Sequence, residues 1–135
     1  MTEKDIITKY LGIPYLHQGR GLDGLDCYGL IINIYKDFGI PLIDINDDYN
    51  KDWSWQGRDY FIENAHRQWQ EIKEPKFLDM VIFKNGKGIM NHAGIMFDGN
   101  RFIHTCKAGT VISRVNDFNK KQRLNGYYRF KYDYH

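Results

Sequence analysis

The hydrophobic pattern of this chain changes its period near Phe77, and that change limits the possible folds more than any other feature. Before it, apolar residues recur at helical spacing, most clearly after Cys27, where Leu30, Ile31 and Ile34 share one side. After it, short β-branched and aromatic segments alternate with polar residues and are separated by Asn-Gly, Asp-Gly and Ala-Gly pairs that favour turns. Helices followed by strands predict an α+β domain.

The pattern places two helices near the start of the chain, one over residues 2–10 and one that begins at Cys27 and stops before Gly39 and Pro41. A third helix is expected over residues 57–69, and residues 43–51 read as a surface loop. About five strands then form an antiparallel meander packed against the helices. These strands are expected at residues 80–83, 92–97, 101–105, 110–115 and 127–132.

Length and charge set broad bounds on function. The 135 residues fit one domain, residues 1–135, with 19 basic and 17 acidic side chains, so neither a nucleic-acid partner nor membrane insertion is expected. The basic residues 119–129 are expected on a solvated face beside an edge strand. The N-terminus lacks the apolar core of a secretory signal, which predicts synthesis in the cytosol and exit by lysis, in a particle or through a dedicated machine.

Cys27 is the candidate nucleophile. Asp26 is a favourable N-cap residue, which places Cys27 at the first helical position. Unpaired N–H groups and the helix dipole there favour the thiolate and lower the thiol pKa, and the same N–H groups can hold an oxyanion. The alternative is a small buried hydrophobe, the commoner fate of a free cysteine taken alone. A disulfide with Cys106 is disfavoured in a reducing cytosol, so both are expected to be free thiols.

A thiol that attacks an amide needs a histidine to exchange its proton and a polar group to orient that histidine. His92 and His104 lie in consecutive predicted strands. A three-residue loop at residues 98–100, with Gly99 or Asn100 left-handed, puts both side chains on one face at diagonal positions. A two-residue loop would send them to opposite faces.

The other cysteine and two further histidines are weaker candidates for the site. In the three-residue register Cys106 lies opposite His92, but a strand end offers no helix N-terminus to activate its thiol, which favours a packing or edge role. His17, in a glycine-rich loop, and His66, in the third predicted helix, are expected at the surface.

Zinc is the natural rival explanation for cysteines and histidines in one small chain. A zinc site with four ligands requires spacings such as Cys-x-x-Cys or His-x-x-x-His, and the chain has neither. A set of three ligands, Cys27, His92 and His104, stays possible and is weaker than the thiol interpretation. No metal or organic cofactor is therefore expected.

The chain resembles the NlpC-type papain-like cysteine peptidases, which cleave bacterial cell-wall peptides. The resemblance covers residues 11–132 and is carried by four motifs in order, Pro14-Tyr15, Asp26-Cys27-Tyr28-Gly29-Leu30, His92-Ala93-Gly94-Ile95 and Phe102-Ile103-His104. It implies a papain-like NlpC-type fold. It also implies roles for matching residues: Cys27 is the nucleophile, His92 the base and general acid, His104 the residue that orients His92, and Tyr15 a residue that assists oxyanion binding.

Two departures from the family pattern bear on specificity. Most cell-wall members have serine after the cysteine, whereas this chain has Tyr28, as in the subgroup found in bacteriophage tail genes. Asp26 and Tyr28 flank the nucleophile and are expected to contact substrate, although the bulk of Tyr28 changes the usual pocket. The usual Gly-Asp before the first strand of the sheet is Leu78-Asp79 here, so the entry turn is expected to differ.

The resemblance implies hydrolysis of an amide in the peptidoglycan stem peptide, between a γ-linked D-glutamyl residue and the following diamino acid. The absence of a signal peptide and of wall-binding repeats favours a protein of the virion or of tail assembly, with phage tail proteins as partners. Two alternatives stay open: an amidase or acyltransferase on another substrate, and a structural tail-tip protein with weak or no peptidase activity. The aromatic residues 49–55 are a partner surface, a wall of the cleft or cover for the core.

Overall fold

The computed structural model describes residues 1–42, 68–84, 90–118 and 123–131. Within these ranges the helices are α1 (Glu3–Tyr10), α2 (Cys27–Asp37) and a short α3 (Val115–Phe118). A ribbon of β1 (Arg20–Gly21) and β2 (Gly24–Leu25) precedes α2. The main sheet contains β3 (Trp69–Ile72), β4 (Met80–Lys84), β5 (Met90–Met96), β6 (Arg101–Cys106), β7 (Gly109–Arg114) and β8 (Arg123–Phe130). None of the described helices is long and apolar enough to cross a membrane.

The six strands form one antiparallel sheet in the order β3-β8-β4-β5-β6-β7. The predicted α+β class is confirmed, but the simple meander is wrong, because only β4 to β7 follow one another in space. The chain returns so that β8 pairs with the free side of β4. Met80 to Phe83 of β4 are all buried, so β4 requires a neighbour on each side and lies inside the sheet.

Strand β3 replaces the end of the third predicted helix. Trp69, assigned to that helix by its spacing, begins β3 and pairs with Phe130 of β8. Its ring centroid lies 5.0 Å from that of Tyr35 in α2 and 5.6 Å from that of Phe130. These aromatic contacts between distant parts of the chain outweigh a weak local helical pattern. The rest of that predicted helix up to residue 67, and the predicted loop at residues 43–51, lie outside the described residues.

Helix α2 begins where its sequence predicts. The Asp26 carboxylate accepts the backbone N–H of Gly29 at 2.7 Å and caps the first turn, so Cys27 is the first helical residue, as expected. The apolar side of the helix, including Leu30 and Ile34, is buried against the sheet. A β-carbon on Gly29 would lie 2.0 Å from the carbonyl oxygen of Gly19, so only glycine lets the preceding loop pack on this turn.

A second contact fixes the other end of α2 to the sheet. The Tyr35 hydroxyl, which is buried, donates a hydrogen bond to the carbonyl oxygen of Leu78 just before β4. Leu78 has φ +80°, in the left-handed region, and its N–H donates to Met96 at 2.9 Å. The residue that replaces the usual glycine therefore keeps a glycine-like conformation, at a steric cost of about 1 kcal/mol.

The register of β5 and β6 matches the three-residue loop. Ile95 pairs with Ile103, and the Phe97 N–H donates to the Arg101 carbonyl at 2.8 Å. The expectation that Gly99 or Asn100 would be left-handed is wrong, since neither has a positive φ.

The Asp98 side chain stabilises this loop in place of a left-handed residue. Its Oδ1 accepts the backbone N–H groups of Asn100 and Arg101, each at 2.8 Å. Asp98 thereby forms an Asx-type turn, which closes the hairpin without a positive φ. The loop length that sets the parity of the two histidines is preserved.

An ion pair with a buried carboxylate joins β8 to the start of β4. The Arg129 Nε and Nη2 donate to the two oxygens of Asp79 at 2.9 and 2.7 Å, and Oδ2 also accepts the Lys76 N–H at 2.7 Å. The Asp79 side chain is 5 % exposed, whereas that of Arg129 is 37 % exposed. Arg129 thus lies on β8, an inner strand next to the edge strand β3, with its side chain partly in solvent.

Substitution Asp79→Ala is expected to lower the free energy of unfolding by about 2 kcal/mol, because the buried carboxylate loses three hydrogen bonds, two of them to the Arg129 guanidinium. Lys9→Met is the matched control. It removes a pair with Asp37 in which the lysine side chain is 42 % exposed, and we expect a loss below about 1 kcal/mol. Urea denaturation of both variants gives the comparison; similar losses would contradict the structural role of the buried pair.

Candidate active site

The start of α2 places the Cys27 thiol beside strand β5. The backbone N–H groups of Ala93 in β5 and of Tyr28 are near enough to the Cys27 thiol to lower its pKa. Because Ala93 directly follows His92, this contact brings the cysteine to the strand that carries the first candidate histidine. Residues from the helical and sheet halves therefore meet at one place.

The charges around Cys27 act in opposite directions on its thiol. Burial raises the pKa of Cys27 to about 12, and the neighbouring Asp26 carboxylate adds to that increase. The N–H groups of Ala93 and Tyr28 and the Arg20 guanidinium lower it. The expectation that the helix start would give Cys27 a low pKa is wrong, because loss of solvent outweighs the helix N-terminus. The thiol is protonated at neutral pH.

Arg20 is a site residue that the sequence reasoning missed. Its Nη1 donates to Asp26 Oδ1 at 2.9 Å and to the Gly19 carbonyl at 3.0 Å, and both side chains of the pair are largely buried. The guanidinium partly neutralises the carboxylate next to the thiol. Arg20 is brought to the site by the short ribbon of β1 and β2, in which it pairs with Leu25. No sequence motif indicates this position.

His92 and His104 lie on one face, as predicted. The Nε2 atom of His92 and the Nδ1 atom of His104 are 2.8 Å apart, and the rings are nearly perpendicular. The two residues are only 7 % and 1 % exposed. The other ring nitrogen of His104, Nε2, lies 2.8 Å from the Ser113 hydroxyl oxygen in β7. The sheet thus holds a chain of hydrogen-bonding groups from His92 to Ser113.

Both imidazoles are neutral at neutral pH. Burial lowers the pKa of His92 to about 3, with the neighbouring His104 adding to the decrease, and burial lowers the pKa of His104 to about 4. A neutral imidazole next to a protonated thiol is a base that can accept the thiol proton. The resting site is therefore uncharged at these three side chains, and charge develops only when the proton moves.

Tyr15 stands beside the cysteine on a neighbouring segment. It forms an isolated parallel bridge with Leu25, two residues before Cys27. Burial raises the pKa of the Tyr15 phenol, and the charges of Asp26 and Cys27 raise it further, which places the ring within electrostatic range of both. Tyr15 is also 41 % exposed, so its ring is accessible to solvent near the thiol.

The two residues expected to contact substrate have structural partners. Asp26 is buried, caps α2 and pairs with Arg20, and the Tyr28 side chain is buried in the core. Substrate contact by Asp26 or Tyr28 stays a prediction.

Cys106 has separate surroundings from Cys27. Both cysteines are free, as expected, and the Cys106 thiol donates to the Gly109 carbonyl at 3.6 Å across the turn between β6 and β7. Across residues 1–42, 68–84, 90–118 and 123–131, no three cysteine, histidine or acidic side chains are grouped to hold a metal ion. His66 and the aromatic residues 49–55 lie outside these ranges.

Comparisons with known proteins concern the family of the chain. The model of the NlpC/P60 family matches residues 12–129. Gamma-D-glutamyl-L-lysine dipeptidyl-peptidase of Bacillus subtilis strain 168 is 28% identical over 116 residues, which cover 82% of this chain and 34% of that protein. Tail tip assembly protein K of Escherichia phage N15 is 30% identical over 99 residues, covering 68% of this chain and 39% of that protein.

Solved structures share the fold. An NlpC/P60 family protein of Bacillus cereus ATCC 10987 superposes with a TM-score of 0.67 at 23% identity, covering 94% of this chain and 39% of that one. At this identity the likeness concerns the fold, and the predicted papain-like NlpC-type architecture is confirmed. The chain spans little more than a third of the length of the two curated relatives.

Acidification is expected to destabilise the protein through the histidine pair. Below pH 6.5 the unfolded chain binds protons on both imidazoles, whereas the folded state excludes them until about pH 4 for His104 and about pH 3 for His92. Stability is therefore complete above pH 6.5 and falls as the pH drops. We expect a loss of roughly 5 kcal/mol between pH 6.5 and 4 from the two imidazoles together, measured by urea unfolding.

One variant separates this effect from general acid denaturation. His104→Gln should remove about half of the pH dependence over that interval, because one of the two buried imidazoles is gone. Equal slopes in the variant and the wild type would contradict the assignment.

Arg20→Met is expected to slow alkylation of Cys27 by iodoacetamide at pH 8, because losing the guanidinium raises the thiol pKa and lowers the fraction of thiolate. The measurement uses a Cys106→Ser background, in which only Cys27 reacts. Arg20→Lys keeps the positive charge and should stay closer to the wild-type rate. An unchanged rate in Arg20→Met would show that the guanidinium does not act on the thiol.

Proposed function

Because the chain belongs to the NlpC/P60 family, we propose that it is a cysteine peptidase in which Cys27 attacks an amide and His92 carries the proton. One observation supports this more than any other. The Ala93 N–H, immediately after His92, lowers the pKa of the Cys27 thiol at the start of α2, and His104 lies 2.8 Å from His92. These contacts support Cys27 as nucleophile, His92 as base and His104 as orienting group.

The proposed reaction begins from a neutral thiol and a neutral imidazole. His92 takes the Cys27 proton as the sulfur attacks the carbonyl carbon, and a C–S bond forms. The imidazolium then protonates the leaving amine as the C–N bond breaks, which leaves a thioester on Cys27. Water, deprotonated by His92, attacks the thioester and releases the acid and the free thiol.

Stabilisation of the oxyanion is assigned to groups at the start of the helix. The Tyr28 N–H lies in the first turn of α2 and lowers the pKa of Cys27, and backbone donors at a helix start are oriented toward developing negative charge. The Tyr15 phenol, raised in pKa and therefore protonated, is a second donor on the solvent side. His104 acts through His92, whose ring it holds in place.

The proposed substrate is a peptidoglycan stem peptide, cleaved between a γ-linked D-glutamyl residue and the following diamino acid. Support comes from the relative named Gamma-D-glutamyl-L-lysine dipeptidyl-peptidase, whose similarity covers most of this chain. Asp26 and Tyr28 are proposed to form the base of the pocket, because both flank Cys27 in the sequence and both are buried. No metal or organic cofactor takes part in the proposed reaction.

A tail role is the second candidate, and it is compatible with the first. The relative named Tail tip assembly protein K supports a protein of a phage tail, with other tail proteins as partners and the bacterial wall as the place of action. A purely structural tail protein would have no need of the bonded pair His92 and His104 beside a thiol. An amidase or acyltransferase would use the same residues on another acyl group.

Mass spectrometry of purified peptidoglycan fragments tests the proposed function. We expect the wild type to cleave stem peptides and Cys27→Ala to lose the activity by more than about 1,000-fold, because no other group replaces the nucleophile. Cys106→Ala is the matched control and should retain activity. Fragments cleaved equally by Cys27→Ala would contradict the assignment, and intact fragments from several wall chemistries would favour the structural tail role.

A further inference from the structure

Ser113 extends the histidine pair into the next strand. In the register of β6 and β7, His104 pairs with Val111 and Phe102 with Ser113, so Ser113 lies on the face of His104 at a diagonal position. Its hydroxyl oxygen is 2.8 Å from His104 Nε2. Three groups in three consecutive strands, β5, β6 and β7, are thus joined by two short hydrogen bonds.

The two hydrogen bonds can be arranged in two ways, which differ in the donor of each bond. In one, His92 Nε2–H donates to His104 Nδ1, and His104 Nε2–H donates to Ser113. In the other, Ser113 donates to His104 Nε2, and His104 Nδ1–H donates to His92 Nε2. A neutral imidazole has one N–H, so only the first arrangement leaves the Nδ1 lone pair of His92 able to accept a proton.

We propose that Ser113 is a positioning residue, whose hydroxyl accepts His104 Nε2–H and keeps the pair in the first arrangement. His104 is almost fully buried, and a buried N–H donor without an acceptor costs more than an unmade bond in water. The hydroxyl can accept or donate, but it stabilises the Nε2–H tautomer more, because an unpaired buried N–H costs more than an unpaired acceptor. It therefore favours the tautomer in which His104 Nδ1 accepts from His92. The effect on catalysis rests on the proposed function, whereas the tautomer does not.

Ser113 also separates the pair from solvent. It borders an open cavity of about 440 Å³, which is lined as well by Arg101, Ile112, Arg114 and Asp117. An apolar side chain at position 113 would still cover His104 from this cavity, but it would remove the hydroxyl that accepts from His104. Thr and Val are such a pair, since they share one shape and both suit a strand.

The experiment compares wild type, Ser113→Thr and Ser113→Val by long-range ¹H–¹⁵N NMR of the histidine rings at pH 7. We expect the wild type and Ser113→Thr to show His104 protonated at Nε2. In Ser113→Val we expect a mixture of the two tautomers or the Nδ1–H form, with the dispersion of backbone amide signals retained as evidence of folding. His104 protonated at Nδ1 in the wild type, or an unchanged tautomer in Ser113→Val, would overturn the proposal.

Kinetics on a cleaved stem peptide provide the second readout. We expect kcat of Ser113→Val to fall roughly tenfold below that of Ser113→Thr with KM unchanged, the size expected for loss of one average hydrogen bond. Equal kcat values would contradict the catalytic consequence. If no peptide is cleaved by the wild type, the proposed function fails, and the NMR comparison still decides the role of Ser113.

Discussion

The site depends on the packing of the first turn of α2 against strand β5. The thiol belongs to a helix and the imidazoles to a sheet, so only this contact brings them together. Gly29 allows the loop before α2 to pack on that turn, since any β-carbon would meet the Gly19 carbonyl. At the other end, Tyr35 bonds to the Leu78 carbonyl at the entrance to the sheet. Contacts at both ends of α2 therefore fix the helix that carries the thiol.

The same packing determines the pKa values of the site residues. Packing the helix start against the sheet removes solvent from Cys27 and from both histidines, which raises the pKa of the thiol and lowers those of the imidazoles. Burial thus favours the uncharged state of every member of the site. The Arg20 guanidinium and the backbone N–H groups of Ala93 and Tyr28 oppose this effect at the thiol, whereas the Asp26 carboxylate adds to it.

Features that depend on local chemistry were predictable from the sequence. The cap at Asp26 and the common face of His92 and His104 follow from neighbouring residues and from one loop length. The place of β8 beside β4, the strand at Trp69 and the contact of Ser113 with His104 depend on how separate strands pair. The thiol pKa was predicted in the wrong direction because the helix N-terminus is visible in the sequence, whereas the burial that outweighs it is not.

The most direct test of the account is the distance between the Cys27 sulfur and the Nδ1 atom of His92, measured in a crystal structure of the protein. The account predicts a separation within about 4 Å, with Nε2 of His92 bonded to His104. Proton transfer between thiol and imidazole is then possible without rearrangement of the sheet. A well-ordered structure in which His92 turns Nδ1 away from the sulfur, or in which another side chain lies between them, would contradict it.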